Sequence, residues 1–210
     1  DLFISVDCGI TGAAEVELLK EAGVDVIITD HHTPRGDLPD CIVVHPDLNP
    51  ATPPGSPQLT GAGVAYHLMW AVRELFGMGE PVELSELATI GTIADVAPLL
   101  GENRSLVTLG LERMLAGRWP GLKALVDAAL GDGKKSITAR DVAFMLAPRI
   151  NASGRLGRAD TAFELLTALD ATKAKELASQ LNEWNQERRD TQDAIFEQAL
   201  AMVDPSEPAI

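Results

Sequence analysis

Apolar residues in the first 45 positions come in short blocks separated by turn residues. LFISV (2–6) stops at DCGITG, whose glycines allow a tight turn into AAEVELLKEAG (13–23), where apolar positions recur at helical spacing until Gly23. VDVIIT (24–29) is a second block, and after the turn PRGDLPD a third follows as CIVVH (41–45). Strand, helix and strand, with the strands apolar on both faces, predict a βαβ unit in a parallel sheet. Residues 46–60, PDLNPATPPGSPQLT, predict a proline-rich loop with no element in it.

From Gly61 the period becomes helical. Helices are expected over GAGVAYHLMWAVRELFG (61–77), over LSELATIGTIADVAPLL (84–100, ended by Pro98) and over ENRSLVTLGLERML (102–115). Three more are expected over GLKALVDAAL (121–130), TARDVAFMLAP (138–148, with Thr138 as N-cap) and TAFELLTAL (161–169). Asp170 then opens a long amphipathic helix, striped by Leu177, Leu181 and Trp184 and continued by Ile195, Ala199 and Met202. The expected fold class is α/β: a parallel sheet with βαβ units, incomplete at its N-terminal side, then a helical region and a long C-terminal connecting helix. The parts divide as 1–60, 61–169 and 170–204, the last leading towards a second domain. The chain starts inside a strand and stops at DPSEPAI, where a new element is about to begin. Three strands would leave sheet edges bare, so a fragment of a longer protein is expected.

At 46% hydrophobic and 23% charged residues, the 210-residue chain has the composition of a globular protein able to bury a core. No apolar run reaches the roughly 18–20 residues of a membrane span, and no basic segment precedes an apolar one as in a secretory leader. Cys8 and Cys41 are too few for a disulfide framework and read as small buried thiols of a reducing cytoplasm. The net charge of −14 argues against indiscriminate nucleic-acid binding. The cations are uneven, however: Lys134, Lys135, Arg140, Arg149, Arg155 and Arg158 face a single acid, Asp141, over residues 134–158. Such a stretch is either a solvated face or a local grip on phosphates.

Chemistry concentrates at strand exits. Ligands of open parallel sheets bind beyond the carboxyl ends of the strands. Asp7 stands at the first exit, and Asp30, His31 and His32 at the second, so they converge on one crevice as a metal or phosphate site. Carboxylate and imidazole donors suit manganese, iron or zinc, and the lack of thiolates disfavours structural zinc. Two blander assignments stay open: Asp7 capping the helix that begins near Thr11, and Asp30 capping the following backbone with both histidines solvated. Asp95, among apolar neighbours in TIADVAPLLGENR, reads as a buried carboxylate whose partner is a cation in the crevice or Arg104. In APRINASGRLGRAD, Pro148 and two glycines predict irregular backbone. There Arg149, Asn151, Ser153, Arg155 and Arg158 would supply an anion cradle. His45 and His67 read as structural, and Trp70, Trp119 and Trp184 as core or helix-seam residues.

Taken together these segments resemble the DHH phosphoesterase superfamily and, within it, the RecJ-type single-strand-specific exonucleases. SVDCGIT resembles the second motif of the family, TDHHTP the third and GTIADVAPLLGENR the fourth. LAPRINASGRL resembles the motif that separates RecJ-like members from pyrophosphatases and small oligonucleotide phosphatases. The resemblance runs in order over nearly the whole chain. It departs in lacking the first motif, an upstream Asp-x-Asp pair, and the DHH-associated domain that closes the cleft.

The resemblance implies two manganese ions, with magnesium as the alternative, about 3.5–4 Å apart. Asp7 would bridge them, His31 and Asp95 would be further ligands of one ion, and His32 would contact the scissile phosphate. Asp30 would orient a histidine from behind, and Arg149 and Arg155 would hold the DNA backbone or its terminal phosphate. The second ion would rest mostly on the missing acids. The implied activity is manganese-dependent 5′→3′ hydrolysis of single-stranded DNA in repair and recombination, by a cytoplasmic enzyme with no membrane partner. Single-strand-binding protein and a helicase are the implied protein partners. The alternatives are another DHH hydrolase acting on pyrophosphate, cyclic dinucleotides or short oligonucleotides, and an inactive scaffold.

Overall fold

The computed structural model describes residues 1–48 and 58–203. Three strands, β1 (Leu2–Val6), β2 (Asp25–Thr29) and β3 (Ile42–Val44), form a parallel sheet in the order β1-β2-β3, with helix α1 (Ala13–Glu21) crossing from β1 to β2. Val6 pairs with Thr29 and Thr29 with Val44, so Asp7, Asp30 and His45 leave the sheet level with one another. That register follows from the apolar blocks. Val16 of α1 packs on Val26 and Ile28, supported by Leu19, Cys41 and Val43. The strand faces are unequal, since Leu2, Phe3, Ile4 and Val6 of β1 are exposed among the described residues while most of β2 is not.

The parallel βαβ reading holds, and several local expectations change. Residues 46–48 form a 3₁₀ turn within the stretch read as a bare loop, and residues 49–57 of that stretch lie outside the described residues. Helices α2 (Gly61–Leu75), α3 (Ser85–Ala94) and α4 (Gly101–Arg113) follow. The expected 84–100 helix is therefore cut short at Ala94, four residues ahead of Pro98. Its end is closed by Val96 N–H on the Ile93 carbonyl (3.1 Å) and Ala97 N–H on the Thr92 carbonyl (3.4 Å). Val96 takes the left-handed position, φ 58°, that glycine usually fills, and the turn carries Asp95 out of the helix. Asp95 is accordingly exposed, not buried as its apolar neighbours suggested.

Contacts divide the chain into two compact units, Asp1–Arg118 with Lys135–Ala143, and Trp119–Lys134 with the described residues from Phe144 onward. In the first, α2 packs on α3 and α3 on α4 around Tyr66, Ala88 and Leu106. Gly91 is required where α3 meets α2, because a Cβ there would overlap that of Ala62. In the second unit, α5 (Pro120–Leu130) packs against the long C-terminal helix.

Thr138 caps the short α6 (Ala139–Asp141) in a reciprocal capping box with Asp141, as its position predicted. The chain then stays helical. A π-helical turn, Val142–Leu146, leads into α7 (Ala147–Arg155), which replaces the irregular backbone expected from Pro148 and the glycines. Proline lacks only its own backbone N–H, and in the first turn of α7, after a π turn, that donor is not needed. Helix α8 (Ala159–Thr167) and helix α9 (Ala171–Met202) complete the second unit, the latter capped by Asp170 accepting from Lys173 N–H at 2.7 Å. Leu177, Leu181 and Trp184 are buried along α9, whereas Ile195, Ala199 and Met202 are exposed, so the expected stripe is covered only in its first half among the described residues. No helix of the described residues is long and apolar enough to cross a membrane.

Candidate metal centre

Asp7 owes its position to backbone strain. Its φ of 64° is left-handed, a conformation Asp tolerates better than most residues because its short side chain bonds locally. The turn is pinned by Asp7 N–H on the Thr29 carbonyl (3.0 Å), Ser5 Oγ on the Cys8 carbonyl (2.6 Å) and Thr29 Oγ1 on the Ser5 carbonyl (2.7 Å). Asp7 does not cap α1, whose N-cap is Gly12 without any side-chain bond. Cys8, next to it, is exposed, and Cys41 is half-buried. The reading of both as buried thiols is thus corrected: the left-handed turn carries Cys8 out of the sheet along with Asp7.

Asp30 is the opposite case, 1% exposed and fully occupied. Its Oδ2 accepts from Ile10 N–H (2.9 Å), and its Oδ1 from His31 N–H (2.7 Å), His32 N–H (3.2 Å) and the His32 ring (2.7 Å). Burial alone would raise its pKa. The bonds from Ile10, the His32 ring and the two histidine amides outweigh that and lower it to about 2. An ionised Asp30 can only accept, so His32 carries its proton on Nδ1 and keeps Nε2 free to face outward. The same bond is the largest cause raising the pKa of His32. His45, buried at the end of β3, accepts Asp47 N–H on Nδ1 (3.1 Å) and so donates from Nε2 to the His32 carbonyl (2.8 Å).

His31 Nε2 lies 3.0 Å from Asp7 Oδ1 and 3.6 Å from Asp95 Oδ2. Asp7, His31 and His32 each offer a ligand atom within 4.8 Å of the others. Donors about 2.1 Å from one ion, at angles of roughly 90–120°, stand about 3.0–3.6 Å apart, which is the spacing around His31. The donor set therefore fits a divalent cation that takes oxygen and imidazole nitrogen. Among the described residues Asp95 makes no ion pair with Arg104, which removes that alternative partner. A cavity of about 390 Å³ opens beside the cluster, bordered by Asp7, Cys8, Thr11, His32, Thr33 and Arg35.

Residues 1–94 match the DHH family, N-terminal domain. This similarity takes in the whole sheet and helices α1 to α3. It is 48% identical, over its whole length and 30% of the relative's, to the single-stranded-DNA-specific exonuclease RecJ of Thermus thermophilus. A crystal structure of Thermus thermophilus RecJ in complex with Mn²⁺ matches 98% of the chain and 31% of that protein at a TM-score of 0.89 and 48% identity. One in complex with Mg²⁺ matches 98% and 29% at 0.78 and 44%. The chain thus spans under a third of the length of these relatives.

The DHH cluster joins Asp7, His31, His32 and Asp95 in the first unit, with Asp30 directly behind His32. The other residues expected to bind lie in the second unit. Arg149 is buried, its Nε donating to Asn182 Oδ1 (3.0 Å) and its Nη1 to the Met145 carbonyl, and burial followed by the Arg189 charge lowers its pKa. Ser153, also buried, donates to the Ile150 carbonyl at 2.7 Å. Asn151, Arg155 and Arg158 are exposed, with Arg158 over the Trp184 ring at 5.2 Å from its centroid. His45, read as structural, supports the His32 backbone from the end of β3; the supporting residue that escaped the sequence reading is Gly61, whose contact with Asp7 no local pattern announces.

Asp30→Asn tests the support behind His32. An amide can satisfy only part of the present set of donors, so at least one buried N–H loses its acceptor. Stability should fall by about 2–3 kcal/mol, and manganese affinity by about 10–100-fold, as for other groups behind metal ligands. Thermal melts and a manganese titration read the two effects separately. Unchanged values in both would show that Asp30 does not organise the site.

Proposed function

We propose that the protein containing this chain is a metal-dependent exonuclease that hydrolyses phosphodiester bonds of single-stranded DNA from the 5′ end, in DNA repair and recombination. The observation that carries this is the convergence of Asp7 and Asp95 on His31 at the spacing of shared metal ligands, with His32 held by Asp30 alongside. Asp7, His31 and Asp95 would hold manganese, or magnesium in its place. The bound ion would supply an activated water and neutralise charge at the phosphate. Asp7, placed by its left-handed turn, would be the carboxylate that holds the metal from the end of the sheet. His32, with Nδ1–H fixed on Asp30, presents Nε2 to the scissile phosphate; when it is protonated, its positive charge favours that anion. Single-strand-binding protein and a helicase are the protein partners that the family resemblance implies.

The test is degradation of single strands by the complete protein with manganese, using 5′- and 3′-labelled oligonucleotides and matching duplexes. Release of the 5′ label first, with duplex spared, is expected. Equal attack on duplex, or release from the 3′ end, overturns the assignment. The 210-residue chain alone should show little or no hydrolysis, because the resemblance puts most ligands of a second ion on acids outside this sequence. Robust cutting by it would refute that account.

The polar side chains of the second unit divide by burial. Asn151, Arg155 and Arg158 are exposed and present donors that suit phosphate oxygens. Arg155→Ala should weaken DNA binding by about ten-fold and flatten its salt dependence by about one phosphate contact. Arg149→Ala should instead lower the melting temperature and leave the salt slope alone, because its guanidinium holds α7 to α9. Titration of labelled single strands at several salt concentrations, beside thermal melts, checks both, and the reverse pattern would exchange the two roles.

A further inference from the structure

Away from the metal centre, the first unit carries a cavity of about 410 Å³ between α2 and α4. Its floor is Tyr66 and Leu106, both buried, and the rings of His67 and Trp70 border it. These two rings stack at an interplanar angle of 23° with centroids 5.9 Å apart, and Tyr66 meets each of them edge-on. Glu80 and Glu102 stand at the same cavity, bonded to Tyr66 Oη (2.8 Å) and His67 Nε2 (3.2 Å). Glu74, which accepts from Trp70 Nε1 at 3.0 Å, adds a third carboxylate nearby.

The walls decide the class of ligand. Among the described residues no lysine or arginine lines the cavity, and its two carboxylates meet the Tyr66 hydroxyl and the His67 ring. A nucleotide is disfavoured, because its phosphates would meet Glu80 and Glu102. A divalent metal is disfavoured too, since the one grouping of at least three donors with metal-ligand spacing among the described residues is Asp7, His31 and His32. What remains is an organic cation. A planar guanidinium suits the site better than an ammonium, because it stacks flat on Trp70 or His67 while its N–H fork reaches carboxylate oxygens.

We propose that the cavity bounded by Tyr66, His67, Trp70, Glu80 and Glu102 is a receptor site for a guanidinium group. The source is either an arginine side chain of another protein or a free arginine-like solute, and both present the same chemistry. Isothermal titration of the complete protein with arginine amide should give saturable binding, weaker binding of lysine amide, and none of inorganic phosphate. Glu102→Gln should weaken arginine amide about ten-fold, by loss of a charge-assisted bond, and Trp70→Leu should weaken it several-fold. Manganese binding retained in both variants would show that the first unit stays folded. A blocked tripeptide with a central arginine separates the sources: binding at least as tight as arginine amide points to a protein side chain, and exclusion of the tripeptide points to a free solute. No saturable heat with either probe, or undiminished binding in both variants, overturns the proposal.

Discussion

Asp7→Asn in the complete protein should abolish detectable manganese-dependent hydrolysis, a loss of at least about 1000-fold, against the 10–100-fold typical of groups that only support a ligand. Asparagine is the informative substitution because it removes the charge yet tolerates the left-handed backbone at φ 64°. Alanine would add about 1–2 kcal/mol of backbone strain and mix two effects. Glycine would relieve the strain while removing the ligand, so melting temperatures should rank Asp7→Gly at or above Asp7→Asn, with Asp7→Ala lowest, although all three lack activity. Manganese calorimetry on the same proteins should show the affinity loss in each. Retained manganese binding in Asp7→Asn would mean that the carboxylate is not a ligand, however well it sits beside His31.

That strained turn marks the limit of what sequence could show. The apolar blocks at residues 2–6, 24–29 and 41–45 set the βαβ unit, and parallel register then requires that groups just past Val6 and Thr29 come together. Asp7, Asp30, His31 and His32 were therefore legible from strand ends alone. Asp95 was legible only as an acid in an apolar run, and its exposure was misjudged, because the helix stops at Ala94 through a left-handed Val96 that no propensity favours. The stretch after Pro148 was misread for a related reason: proline and glycine signal breaks, but a preceding π turn removes the proline's conflict with the helix. Burial separated Arg149 from Arg155, and burial is a tertiary property that six residues of spacing do not reveal. His45 was legible as a structural residue at a strand end, but its partner, the His32 carbonyl, has no motif that announces it.

Gly61→Ala should damage the metal site, although residue 61 contributes no donor atom. Gly61 is the first residue of α2, and a Cβ there would overlap the Asp7 carboxylate. Asp7 cannot simply retreat, since its backbone is tied to Thr29 and its turn to Ser5. Either the carboxylate swings away from His31 or α2 moves off the sheet end. If α2 moves, it disturbs α3 as well, because Ala62 of α2 is packed against Gly91 of α3, whose last turn positions Asp95. Manganese affinity should fall by at least about 10–100-fold, the range seen when support behind a ligand is lost. Stability should change far less, because alanine gains up to about 1 kcal/mol of helix propensity over glycine, offsetting part of the overlap. The double variant Asp7→Asn/Gly61→Ala gives the sharper reading. With the carboxylate's charge already gone, the added methyl should cost little further manganese binding, so the two losses should fail to add. Additive losses, or wild-type affinity in Gly61→Ala alone, would show that α2 does not fix the Asp7 carboxylate.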